Sequence, residues 1–122
     1  MGGIGAAAVT EHDEQAALFD WKLWQQNIMP ELRLLHAIPN GQYRPGQRPE
    51  PGLEAGVPDI SLPVPRGDYH GFYGELKVKK NKTSEHQERW INDLRDQGYC
   101  VVVAYGFEAM KDAILEYLEA EL

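Results

Sequence analysis

The stretch Gly56-Val57-Pro58-Asp59-Ile60-Ser61-Leu62, followed after a short connection by Phe72-Tyr73-Gly74-Glu75-Leu76-Lys77-Val78, decides the fold. Apolar and β-branched residues alternate with polar ones in both halves, and Pro65-Arg66-Gly67-Asp68 supplies a turn between them, so the pair reads as a β-hairpin. Side chains two apart on a strand point the same way, which puts Glu75 and Lys77 on one face. Asp59 interrupts the otherwise apolar run Val57, Ile60, Leu62 on the neighbouring strand. The hairpin thus delivers two carboxylates and an ammonium to one place. Such charges are rarely buried unless they are paired or hold a metal.

Outward from the hairpin, Thr10 caps a helix running to about Ile28, with Asp13 and Glu14 in its first turn and an apolar stripe of Leu18, Trp21, Trp24 and Ile28. Pro30 ends it, and Leu32 to Ile38 reads as a first strand. Residues 39–56 carry four prolines and four glycines and form an irregular loop, in which Arg44 and Arg48 are either solvated charges or phosphate contacts. Lys79-Lys80-Asn81-Lys82 is a polar turn, and Ser84 opens a helix that stops at Gly98, burying Trp90, Ile91 and Leu94. Tyr99 to Tyr105 is apolar enough for a central strand covered on both sides. Phe107 to Leu122 closes the chain as a helix with Met110, Ile114, Leu115 and Leu118 inward. The order α-β-β-β-α-β-α makes an α/β sandwich with a mixed central sheet flanked by helices. Residues 1–10 are expected as a flexible tail, and 11–122 as one domain.

The motifs add a family. Pro58-Asp59 followed by Glu75-Leu76-Lys77 resembles the signature of the PD-(D/E)xK nuclease superfamily, with its restriction-endonuclease-like core. Ile38-Pro39-Asn40-Gly41 upstream, Ala55-Gly56-Val57-Pro58-Asp59, and Ser84-Glu85-His86-Gln87-Glu88-Arg89-Trp90 ahead of Gly98 extend the likeness to the virus-type replication-repair nuclease (VRR-Nuc) domain, in its order and spacing from about Glu11 onward. The resemblance implies a metal-dependent DNA endonuclease in which Asp59, Glu75 and the backbone carbonyl of Leu76 hold Mg²⁺ or Mn²⁺. Hard cations of this kind prefer oxygen ligands and lower the pKa of bound water. Lys77 then orients the attacking water or stabilises the transition state, and two neighbouring carboxylates favour its charged form. Gln87, at the third helical position after Ser84, completes a capping box on local grounds. The resemblance places it in the active site as well. It also asks for an acid on the first helix: Glu14, one turn before Leu18, is the choice, with Glu11 in competition.

Asn40, Arg44, Arg48, Lys79, Lys80 and Lys82 are the expected DNA contacts. A net charge of −7 argues against a nucleic-acid partner. The acids crowd the two ends, however, while Arg44, Arg48, Arg66, Lys77, Lys79, Lys80 and Lys82 occupy the middle, where bound cations add further positive charge. Small stand-alone members of the family resemble Holliday-junction resolvases acting as homodimers, because paired nicks in a four-way junction need two sites about a two-fold axis. The competing readings are a monomeric flap or single-strand nuclease, a non-catalytic DNA-binding module of the same fold, and a structural interaction domain. His12, His36, His70 and His86 have no zinc spacing, no Gly-rich loop marks a nucleotide cofactor, and no apolar run is long enough to span a bilayer. The single Cys100 suits the reducing cytoplasm of a bacterium or a phage-infected host cell.

Overall fold

The computed structural model describes residues 9–39, 46 and 50–120. The elements follow the order α1 (Glu11–Gln25), a 3₁₀ turn (Pro30–Leu34), β1 (His36–Ala37), β2 (Ile60–Leu62), β3 (Phe72–Lys77), α2 (Glu85–Asp96), β4 (Cys100–Tyr105) and α3 (Phe107–Glu119). The four strands form one mixed sheet in the order β1-β2-β3-β4. β1–β2 and β2–β3 are antiparallel, and β3–β4 is parallel with α2 as the crossover. This is the expected α/β architecture.

β3 divides the molecule. A Cβ added at Gly74 would lie 2.7–2.9 Å from the tips of Met110 and Ile60, so this residue faces α3 and the main core of Leu18, Leu32, Leu35, Ile60, Leu62, Phe72, Leu76, Met110 and Ile114. Tyr73, Glu75 and Lys77 therefore face the other way, toward α2.

Four details depart from the sequence reading. The expected strand Leu32 to Ile38 is mostly the 3₁₀ turn, leaving only two residues to β1. Pro30 pre-sets a helical φ at its start, and fully buried Leu32 and Leu35 stand at the three-residue period of that turn. α1 stops at Gln25, and Trp24 and Ile28 are 80% and 76% exposed. Trp24 is six positions beyond Leu18 and so lies about 120° round the helix from it. Among the described residues β4 is the sheet's edge rather than its centre; it is covered on both faces, Ala104 joining the main core and Val101 lying beneath the α2 side, but paired along one edge only. In α3, Tyr117 is buried where Leu115 is half-buried, because the Tyr117 hydroxyl donates to the Val64 carbonyl at 2.6 Å and its ring lies against Phe72. Among the described residues no helix is long and apolar enough to cross a membrane.

Candidate active site

The hairpin register builds the site. Ile60 pairs with Gly74, so in that register Pro58 stands opposite Leu76. A proline has no N–H to give, and the ladder ends there. The Leu76 carbonyl is left without its strand donor, and the Leu76 N–H donates instead to Asp59 Oδ2 at 2.7 Å. The Pro58-Asp59 dipeptide thus ends one strand and fixes a carboxylate at the point where it ends.

Glu75, the next residue along β3, is 1% exposed, and its Oε1 is buried with no hydrogen-bond partner among the described residues. Its Oε2 accepts from Gln87 Nε2 at 3.0 Å and lies 3.9 Å from Lys77 Nζ. Lys77 Nζ donates to Gln87 Oε1 at 2.9 Å. The same Oε1 accepts from the Ser84 N–H at 2.8 Å, while the Gln87 N–H donates to Ser84 Oγ at 3.2 Å. The two readings of Gln87 are therefore one structure: the capping box fixes the carboxamide so that its oxygen meets Lys77 and its nitrogen meets Glu75. The first turn of α2 reaches this place because Gly56, at φ +89°, lies against it. A Cβ at Gly56 would stand 2.6–2.8 Å from the carbonyl carbon, Cβ and carbonyl oxygen of His86.

Burial pushes the Glu75 carboxyl up to about 8; the neighbouring Asp59 carboxylate adds to the rise, Lys77 opposes it, and Glu11 contributes a smaller upward push. Asp59 is also raised by burial, with the Leu76 N–H pulling the other way and Glu11 again raising it. Burial and the facing carboxylate thus make Glu75 the weaker acid of the pair. Among the described residues no group of three or more His, Cys, Asp or Glu is placed to hold a metal, so the acidic donors here are the Asp59–Glu75 pair.

Glu14 does not join this group. Its Oε2 accepts from the Phe107 N–H at 3.1 Å, where it caps the start of α3, and it lines a 270 Å³ depression with Val9, Val78, Lys79, Tyr105 and Gly106. Glu11 is the first-helix acid whose charge reaches Asp59 and Glu75, and its Oε2 accepts from Asn81 Nδ2 at 3.2 Å. Lys79, Lys80 and Lys82 are exposed on the β3–α2 connection beside the site. Asn40, Arg44 and Arg48 lie outside the described residues. Asn81 and Tyr105, to which the sequence gives no site role, border the site too: the Tyr105 hydroxyl donates to the Asn81 carbonyl at 2.8 Å, and Tyr105 pairs in register with Lys77. Only the parallel pairing reveals that neighbourhood.

With the acid pair, the lysine and the glutamine in place, the comparisons with known proteins become specific. The VRR-NUC domain profile matches residues 10–108. The chain belongs to the VRR-NUC domain family. A solved structure titled "VRR_NUC domain protein" is similar to it, with a TM-score of 0.76 and 28% identity over 93% of this chain and 91% of that one. No curated protein matches it significantly. As a VRR-NUC member, the chain is a nuclease-type domain with an α/β fold.

Proposed function

We propose that this VRR-NUC chain is a metal-dependent DNA endonuclease that hydrolyses phosphodiesters in branched DNA, four-way junctions foremost, and that it works as a homodimer in a reducing cytoplasm. One observation carries the reading: a carboxylate oxygen, Glu75 Oε1, is buried without a hydrogen-bond partner among the described residues, beside a second acid and a lysine. An unpaired buried acceptor of this kind is costly in a merely structural ion pair. It fits a hard divalent cation held by Asp59, Glu75 and the Leu76 carbonyl, since Mg²⁺ commonly takes one or two carboxylates and completes its shell with water and substrate phosphate oxygens. When bound, such a cation supplies positive charge at the scissile phosphate and acidifies a water molecule.

The chain's own groups do the rest. Asp59 is aimed by the Leu76 N–H, and Glu75 is aimed by Gln87 Nε2. Lys77, tethered to Gln87 Oε1, presents its remaining N–H bonds where negative charge develops on the phosphoryl oxygens. Gln87 bonds to both Glu75 and Lys77, and so sets their separation.

The test is cleavage of a panel of labelled DNAs (four-way junction, 5′-flap, single strand, linear duplex) with Mg²⁺, with Mn²⁺, and with chelator. Wild type is expected to cut the junction only when metal is present, and Lys77→Ala to lose about 10²–10³-fold in rate, as for removal of one charge-stabilising donor. Preferential cutting of flaps by a single chain would move the assignment to the monomeric nuclease. A wild type that leaves every substrate intact in both metals would leave only a binding module.

A further inference from the structure

The β3–α2 connection, residues 78–83, is tied to the site at both ends: it leaves β3 directly after Lys77 and arrives at Ser84, whose capping box holds Gln87. It carries Lys79, Lys80 and Lys82, all exposed, and none of the three is in an ion pair among the described residues. In a chain with 19 acids against 12 Lys and Arg, three such ammonium groups beside one site point to an anion from outside the molecule.

The connection is also held in a shape it would not choose alone. Lys79 adopts φ +53°, the left-handed region that non-glycine residues rarely occupy, above a turn closed by the Asn81 N–H donating to the Val78 carbonyl at 3.1 Å. Backbone in that region persists where surrounding contacts over-determine it. Those contacts centre on Asn81. Its carbonyl accepts from the Tyr105 hydroxyl at 2.8 Å, and its side-chain amide donates to Glu11 Oε2 at 3.2 Å. The far end is clipped by the Thr83 hydroxyl, which donates to the Glu88 carboxylate.

We propose that Tyr105 and Asn81 are positioning residues that latch this connection in place, so that Lys79, Lys80 and Lys82 meet the phosphates of the bound strand without first having to be ordered. The proposal rests on the nucleic-acid reading above and names how that site grips its substrate. Its physical basis is entropy: backbone fixed beforehand need not be fixed on binding, and the gain is read as affinity.

The experiment compares wild type, Tyr105→Phe, Asn81→Ala and the triple Lys79→Ala/Lys80→Ala/Lys82→Ala in the full chain. Thermal melts first establish that each variant folds; Tyr105→Phe removes one hydroxyl from a half-exposed side chain and is expected to lower the melt by no more than a few degrees. Limited trypsin digestion without DNA then reads the latch itself. Tyr105→Phe and Asn81→Ala are expected to speed cleavage after Lys79, Lys80 and Lys82 about five-fold, the population change from losing one net hydrogen bond. Junction binding is measured with chelator across a salt series. The triple variant is expected to lower the slope of log K against log salt by about three. Tyr105→Phe is expected to weaken binding several-fold, and in metal-dependent cleavage to raise KM with kcat within two-fold of wild type. Unchanged trypsin rates in both single variants would overturn the latch. A loosened connection with unchanged binding and salt slope would overturn its role in gripping phosphate. Wild type that binds junctions without cutting them would remove the nuclease reading and leave the latch standing on its binding data; wild type that binds no DNA would remove both.

Discussion

At the scale of single residues, the chemistry turns on Glu75. A carboxyl whose folded pKa is raised from the ordinary value of 4.5 to about 8 binds more protons in the folded than in the unfolded state between those limits. Its stabilising contribution is therefore complete below about pH 4.5 and is lost as pH rises toward 8. The metal-free protein is expected to melt at progressively lower temperature across that window, and Glu75→Gln, which keeps the shape without the titration, to flatten the decline. Mn²⁺ is expected to raise the melting temperature of wild type at pH 8 and to do little for Glu75→Gln. Melts across pH, with and without metal, check both; parallel curves for the two proteins would mean that Glu75 is not the titrating group. The shared face of Glu75 and Lys77 is legible in the sequence because a strand's period of two is local information, whereas Asp59 stands just before β2 and reaches them through the hairpin register. The choice between Glu11 and Glu14 is not legible. It depends on how α1 is rotated about its axis by Leu18 packing against the sheet and by the Phe107 N–H taking up Glu14, both set by residues remote in sequence.

At the scale of elements, α2 is both a packing helix and one wall of the site. Ile91 buries its inner face, while Ser84 and Gln87 at its start fasten Glu75 and Lys77. Ser84→Ala is expected to cost about 1 kcal/mol as an ordinary cap loss. Gly56→Ala tests the docking of that turn. It puts a Cβ 2.6 Å from His86 backbone in a φ +89° conformation, so the turn must shift away from the Asp59 loop. The expected cost is about 1–3 kcal/mol, with cleavage falling by more than the stability loss explains because Gln87 moves with the turn. Chemical denaturation beside rate measurements at saturating metal separates the two effects, and a rate loss no larger than the stability loss accounts for would show that only helix stability matters. The helix itself is written in the sequence by Ser84, Gln87 and Gly98. The 3₁₀ turn is not, because Leu32 to Ile38 alternates well enough to pass for a strand until Leu32 and Leu35 are seen to bury together. Nor is the edge position of β4, since apolarity reports cover on two faces and says nothing of partners along the two edges.

At the scale of the whole molecule, the described residues hold one candidate acid site, on the α2 side of the sheet at the end of β3. One such site breaks one phosphodiester per encounter, and paired cuts in a four-way junction require a second site presented by symmetry. The proposed homodimer therefore makes a kinetic prediction as well as a hydrodynamic one. On a supercoiled plasmid with an extruded cruciform, two sites acting within one encounter convert the circle directly to the linear form. A single site yields a nicked circle, which loses its supercoiling and reabsorbs the cruciform before a second cut. Above the dissociation constant of the dimer, linear product is expected to dominate; on dilution, nicked circle should replace it while the total cutting per active site changes less. Sedimentation across the same concentrations should show the two-chain species receding in step, and the net charge of −7 per chain predicts that higher salt shifts the midpoint toward the dimer by screening repulsion between copies. Nicked circle at every concentration, together with a one-chain species throughout, would separate the nuclease from the homodimer and leave a monomer that cuts one strand at a time.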